Sequence, residues 1–246
     1  MTLNDEIPPG AIPKLNTKTI NIMSEKLIVI SDKWGAKKGL WIASYFGYLQ
    51  QYYDIVFHDC QQLGNVDVSI SSEENIDKAF DEKGIDRAVS NLLKKEVEPA
   101  HYLSFGTGAT VTYKASLKGL PAKSITAISA IGIEMEEQVP NADVKLIYGE
   151  CDTSKPSLKW AERVGANIKI VPNFGHTLYS DEKIISEISL ELLENAVPGD
   201  FAEPIIAILD RSRVELPRRR RLAPEPLRRH PPVAQFRRAG ERSARI

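Results

Sequence analysis

The chain has few of the residues from which disulfide frameworks and metal centres are built. Its 246 residues include only two cysteines, Cys60 and Cys151, which lie far apart and form no CxxC pair. This sparse usage favours a reduced, cytoplasmic protein, although a single Cys60–Cys151 disulfide stays open. Of the four histidines, His58, His101 and His230 show no metal-ligand spacing. We therefore expect neither a metal site nor a bound cofactor.

Long apolar runs are also missing. No stretch of about 18 apolar residues occurs, so the sequence predicts no transmembrane helix. The N-terminal residues show no basic segment followed by an apolar one, which argues against a secretory signal. Apolar residues make up 42% and charged residues 26% of the chain, as in an ordinary globular protein. We expect no membrane partner, and the composition leaves the oligomeric state open.

Positive charge is distributed unevenly, and lysine is absent from the C-terminal part. Residues 1–210 hold 18 Lys, two Arg and 30 acidic residues, a net charge of −10. Residues 211–246 hold 12 Arg and three acidic residues, a net charge of +9. A basic arm for nucleic acid would need stacking partners, and Phe236 is the one aromatic residue there. The composition instead predicts that 201–246 is an Arg/Pro-rich tail, either disordered or encoded by foreign DNA such as a shifted reading frame.

The rest of the chain alternates short apolar runs with amphipathic stretches. Six apolar segments predict strands, and helical patterns lie between them. This alternation predicts an α/β protein with a doubly wound, mostly parallel sheet in one domain, residues 23–200. Residues 1–22 are predicted to be an N-terminal extension. The predicted strands lie at 27–30, 54–58, 101–105, 123–131, 144–148 and 168–171.

Chemistry-bearing residues follow three of these strands. Residues 104–108 read Ser-Phe-Gly-Thr-Gly and connect the third strand to a helix. Asp152 follows the fifth strand, and His176 follows the sixth within Phe-Gly-His. The carboxyl ends of parallel strands lie at one edge of a sheet, so these residues are expected to meet. The alternative is that neither residue has a catalytic role: Asp152 would then cap a turn, and His176 would be a solvated loop residue.

The order of glycine turn, acid and histidine resembles the α/β-hydrolase superfamily from about residue 25 to residue 196. The resemblance implies that Asp152 and His176 are the acid and base of a catalytic triad, with residue 106 as the nucleophile position. It also implies oxyanion donors at the amides of Thr107 and, by position after the first strand, Trp34. The fourth and fifth strands are too close in sequence for a lid domain, so we expect an open site without a lid.

The chain departs from this family at its central residue, because Gly106 stands where the nucleophilic serine belongs. Ser104 and Thr107 are weak alternative nucleophiles, and direct activation of water by His176 is a third possibility. The resemblance implies an esterase-like hydrolase for small esters that has a degenerate nucleophile, a pseudoenzyme if it is silent. Two alternatives stay open: a non-catalytic binding protein for a small ligand or a protein partner, and a nucleotide-binding protein that uses the Gly106–Gly108 turn.

Overall fold

The computed structural model describes residues 24–67, 69 and 72–196, which form a parallel β-sheet covered by helices. All five strand pairs are parallel, in the spatial order β2-β1-β3-β4-β5-β6. The strands are β1 (Glu25–Ile30), β2 (Tyr53–His58), β3 (Ala100–Phe105), β4 (Ala122–Ile128), β5 (Asp143–Gly149) and β6 (Asn167–Val171).

Helices occupy the connections between the strands. They are α1 (Ile42–Leu49), α2 (Cys60–Leu63), α3 (Glu73–Ala79), α4 (Ile85–Lys95), α5 (Gly106–Leu117), α6 (Leu158–Val164) and α7 (Glu182–Ala196). A π-helical turn (Phe80–Gly84) joins α3 to α4. Helix α1 packs against α7, and α4 packs against α5. Within residues 24–67, 69 and 72–196, no helix has both the length and the apolar character that a bilayer crossing needs.

The central strands are apolar because helices cover both faces of the sheet. Residues 27–30 of β1 are all fully buried, as are Leu103 and Phe105 of β3. Such continuous burial explains why residues 27–30 of β1 form an unbroken apolar run and do not alternate between polar and apolar residues. The prediction of a doubly wound, mostly parallel α/β sheet is therefore confirmed, and within the described residues no lid domain is inserted between β4 and β5.

The strand order reverses direction between β1 and β3, and the candidate site lies at this switch point. Chain connections lead outward from β1 to β2 on one side and from β3 to β6 on the other. Ile30 at the end of β1 lies opposite Ser104 near the end of β3. Ligand sites in open α/β sheets form in the crevice beyond the carboxyl ends of the strands at such a switch point. The loops after β1 and β3 begin there.

Several boundaries differ from the sequence-based prediction for identifiable reasons. The fourth strand ends at Ile128, before Ser129, whose φ of 53° does not continue a strand. The polar stretch at 59–75, for which no helix is predicted, contains α2 and the start of α3, and each of these helices is capped by a side chain. Between β4 and β5 the one helical element is a 3-10 turn, Ile133–Met135. The predicted extension at 1–22 and the tail at 201–246 lie outside the described residues.

Candidate active site

Gly106 lies at the sharp turn from β3 into α5, in a conformation that side chains disfavour. Its φ is +51°, whereas the preceding Phe105 is extended at φ −130°. A β-carbon built on Gly106 would lie 3.7 Å from Nε2 of His176 and 3.3 Å from Cβ of Asp32. A residue at this position would therefore project its side chain between the histidine and the aspartate. Glycine adopts the turn without the steric cost of a β-carbon.

Gly108, one residue further into α5, is needed for a different reason. A β-carbon there would lie 2.1 Å from the backbone oxygen of Ser31 and 2.8 Å from Cγ2 of Ile30. The first turn of α5 consequently rests directly on the end of β1. This contact explains the second glycine of the turn by helix–strand packing, so Gly108 is not in itself a sign of a phosphate cradle.

Asp152 and His176 meet at the same edge of the sheet. Nδ1 of His176 lies 3.1 Å and 3.2 Å from the two carboxylate oxygens of Asp152. The Asp152 side chain is fully buried, whereas that of His176 is 33% exposed. Burial opposes ionisation of Asp152, but hydrogen bonds from His176 and the Ser154 amide outweigh it and hold the pKa of the carboxyl below its usual value. The arrangement leaves Nε2 of His176 directed at residue 106.

Backbone contacts fix the two loops that carry this pair. The Cys151 amide donates to the Phe174 carbonyl at 2.8 Å. A β-carbon on Gly149 would lie 2.2 Å from the same carbonyl oxygen, so the acid loop and the histidine loop touch. The Ser129 hydroxyl, at the end of β4, donates to the His176 carbonyl at 2.7 Å. The pair is thus held by three strand ends and not by side chains alone.

Asp32 is a second buried carboxylate beside Gly106. It follows β1 and is 7% exposed. One of its oxygens accepts the Trp34 amide at 3.0 Å, and the other accepts the Tyr179 hydroxyl at 3.1 Å. Burial raises the pKa of the Asp32 carboxyl above its usual value, and hydrogen bonds from Trp34 and Tyr179 only partly offset this. A negative charge here is therefore held at an energetic cost.

The remaining predicted site residues occupy distinct places. The Trp34 amide is engaged by Asp32, while Thr107 lies in the first turn of α5, where amides lack partners within the helix. Ser104 is fully buried in β3, and its hydroxyl has no hydrogen-bond partner. The hydrogen bonds made by the His176 ring go to Asp152 and reach neither hydroxyl. Ser104 and Thr107 are thus near the turn without being paired to the base.

Aromatic side chains form one wall next to Gly106. Phe105 packs edge-on against Trp41, with ring centroids 4.6 Å apart, and Tyr179 lies 4.8 Å from Trp41. The neighbouring ring of His176 is 6.3 Å from that of Tyr179. These contacts connect the turn from β3 into α5, which we call the elbow, with the loop that carries His176 and with the start of α1. The sequence analysis did not select Asp32 or Tyr179. What could have indicated them is their position: Asp32 follows a buried strand, and Tyr179 lies three residues after His176.

The other cysteines and histidines lie outside this arrangement. Cys60 is fully buried and burial raises the pKa of its thiol, whereas Cys151, next to Asp152, is exposed. His58 is hydrogen-bonded to Glu96 at 2.6 Å, and His101 contacts Ser124 and Glu25. In the part of the chain that the structure describes, no group of three or more His, Cys, Asp or Glu side chains could hold a metal ion.

Comparison with known proteins identifies the fold. No sequence family matches the chain, and no curated protein does. Solved structures do match, and the three described next each align with 70% of this chain. A candidate hydrolase of the α/β superfamily from Xanthomonas campestris pv. campestris has 16% identity, a TM-score of 0.51 and 99% of its own length covered. A CIB-like hydrolase inferred in Thermoplasma acidophilum has 18% identity, a TM-score of 0.51 and 87% covered. A candidate dienelactone hydrolase from Klebsiella pneumoniae subsp. pneumoniae has 15% identity, a TM-score of 0.50 and 85% covered.

Proposed function

We propose that this chain, which has the α/β-hydrolase fold, is a degenerate carboxylic-ester hydrolase that binds a small ester-like ligand without serine-type turnover. One observation carries the proposal. Residue 106 faces His176, because a β-carbon built there would lie 3.7 Å from Nε2 of the histidine. Gly106, however, places no side chain at this position. The acid–histidine pair has kept its geometry while its reaction partner is missing.

The size of the expected loss follows from comparable triads. Removing the serine from such a triad costs on the order of 10⁶ in turnover, and roughly 10³–10⁴ over water remains from the oxyanion hole and from binding. Neither Ser104 nor Thr107 is hydrogen-bonded to His176, so neither has the activation that a hydroxyl nucleophile needs. Binding of the ligand does not need the serine.

A second candidate function has its own support. His176 is 33% exposed and Asp152 holds its Nδ1, so the ring can present Nε2 to solvent as a general base. The protein would then hydrolyse an activated ester by direct attack of water, and the proton would pass from water to His176. This function differs from the first in one measurable respect, its dependence on the imidazole.

A rate comparison separates the two. We expect purified protein and its His176→Ala variant to hydrolyse p-nitrophenyl acetate and p-nitrophenyl butyrate at the same rate, while saturation-transfer NMR shows the intact esters binding. The matched control is His101→Ala, which removes a histidine that lies outside the site. A rate that falls about tenfold or more in His176→Ala alone would favour the water-activating hydrolase, since general-base catalysis contributes roughly 10²–10⁴. Absence of ester binding would contradict the binding role.

A further inference from the structure

Asp32 occupies a place where an ester hydrolase needs the opposite electrostatic character. Its Cβ and Cα would lie 3.3 Å and 3.8 Å from a β-carbon at residue 106. The side chain therefore borders the nucleophile position directly, on the β1 side, with His176 also within reach of that position. Of the described residues, Asp32 and His176 supply the three atoms nearest to a β-carbon at residue 106.

The carboxylate also uses the donor that an oxyanion would require. The Trp34 amide, which the sequence predicts as an oxyanion donor, points at Oδ1 of Asp32 at 3.0 Å. The other oxygen is held by the Tyr179 hydroxyl at 3.1 Å. Both oxygens of Asp32 are thus fixed, and the amide is not available to a substrate in this arrangement.

Acyl transfer depends on donors that are aimed in advance at the developing negative charge. A buried carboxylate at this place does the reverse, because it brings a like charge next to the oxyanion and satisfies the donor. A local turn does not explain the charge, since a neutral asparagine could accept the Trp34 amide equally well. The burial of Asp32 makes its charge costly, so a neutral residue would be the more stable choice for shape alone.

We propose that Asp32 is a second and independent block on ester hydrolysis: its carboxylate takes the oxyanion position, so that returning a serine to position 106 does not by itself restore full turnover. The proposal rests on the proposed function, because it assumes that the site descends from an esterase. It adds that two changes, not one, separate this chain from an active hydrolase.

The test uses three variants of the full chain: Gly106→Ser, Gly106→Ser with Asp32→Asn, and Gly106→Ser with Asp32→Ala. We expect Gly106→Ser alone to stay at least about 10² below the variant that also carries Asp32→Ala on p-nitrophenyl acetate, because one lost oxyanion donor costs about 10²–10³ in kcat. Asp32→Asn removes the charge but leaves an acceptor on the Trp34 amide, so it should restore part of the rate. Asp32→Ala also frees the amide and should raise kcat/KM by about 10² or more over Gly106→Ser.

Two further variants serve as controls. Asp181 is a carboxylate that accepts the amides of Lys183 and Ile184 at the start of α7 and does not adjoin Gly106. Adding Asp181→Asn to Gly106→Ser should not change the rate. Adding His176→Ala to the most active variant should abolish the gain, because the serine would lose its base.

A binding measurement gives a readout that does not require turnover. When phenylboronic acid reacts with an active-site serine, a bond forms between the serine oxygen and boron, the serine proton passes to His176, and boron becomes a tetrahedral anion. Boron NMR titration should show at least about tenfold tighter binding when Asp32→Ala is added to Gly106→Ser, since the adduct's charge requires the same donors as the oxyanion.

The outcomes distinguish this proposal from the proposed function. If Gly106→Ser alone gains about 10² or more and the Asp32 changes add less than about threefold, the block is not at Asp32, while the esterase origin stands. If all three serine variants are folded by circular dichroism yet neither hydrolyse the ester nor bind the boronic acid, both proposals are wrong. A further gain of about 10² or more and tighter boronate binding when Asp32 is replaced by alanine support both.

Discussion

At the scale of single residues, two buried aspartates with opposite pKa shifts define the site. Burial works against the charge of both, but hydrogen bonds from His176 and the Ser154 amide outweigh it at Asp152, and the pKa of its carboxyl is lowered. At Asp32 the hydrogen bonds from Trp34 and Tyr179 only partly offset burial, and the pKa of its carboxyl is raised. The structure therefore stabilises the charge of the aspartate that supports His176 and destabilises that of the aspartate beside Gly106. The two carboxylates make different contributions to stability as the pH changes.

This difference leads to a pH-dependent prediction for Asp32→Asn. A carboxyl whose pKa is raised on folding favours the folded state in acid, and this advantage is lost as the pH rises through the folded pKa. At pH 7 the raised pKa of Asp32 therefore lowers the free energy of unfolding of the unmodified protein, and the variant does not have this loss. We expect the variant to melt at a higher temperature at pH 7; a gain of about 1 kcal/mol corresponds to roughly 2–4 °C for a domain of this size.

The control is the same comparison in acid. Asp152 loses its stabilising contribution as the pH falls, but this loss occurs in both proteins and cancels in their difference. The gap between the melting temperatures should close as the pH falls through the folded pKa of Asp32. A gap that is constant between pH 3.5 and pH 8, or a less stable variant at pH 7, would show that the Asp32 charge carries no cost.

The sequence indicated part of this site, and physical reasons limit the rest. Gly106, Asp152 and His176 could be selected because their spacing follows strand ends, and parallel strands bring those ends together. Asp32 could not, because an aspartate after a strand looks like any turn residue until its burial is known. The Trp34 amide illustrates a second limit: the partner of a backbone N–H depends on loop dihedral angles that residue types do not specify.

At the scale of elements, the contact between α5 and β1 is set by Gly108. We expect Gly108→Ala to destabilise the protein by about 3 kcal/mol or more, because its β-carbon would lie 2.1 Å from the Ser31 carbonyl and the helix must move away. Urea unfolding followed by circular dichroism measures the change. The matched control is Gly47→Ala in α1, where a β-carbon meets nothing within 4 Å and alanine should stabilise the helix slightly.

An equal effect of both substitutions would show that the elbow is not tightly packed on the sheet. The elements themselves were largely predictable, since each of the six strands contains apolar residues at its centre and differs from its predicted bounds by at most three residues. The first helix ends at Leu49, because Tyr53 starts β2 and pairs with Glu25. Helices α2 and α3 were missed because they are short and polar, and their stability comes from caps at Asp59 and Ser72.

At the scale of the whole molecule, the charge asymmetry suggests where the folding unit ends. Residues 211–246 contain 12 Arg and few large apolar side chains, so they offer little apolar surface to bury. We expect a chain that ends at Gly199 to keep its melting temperature within about 2 °C, because changes outside the core are usually within 0.5 kcal/mol. Differential scanning calorimetry of both lengths is the measurement. A large drop would show that the removed segment contributes to the stability of the domain.

The two cysteines give the molecule a labelling chemistry of its own. Cys60 is sealed in the core with its thiol protonated, whereas the exposed Cys151 stands next to the acid of the candidate triad. A maleimide dye added to the native protein has one accessible thiol among the described residues, and that thiol is next to Asp152 in the candidate site. An environment-sensitive fluorophore on Cys151 can therefore report ligands as they arrive, in a protein whose sequence has not been altered.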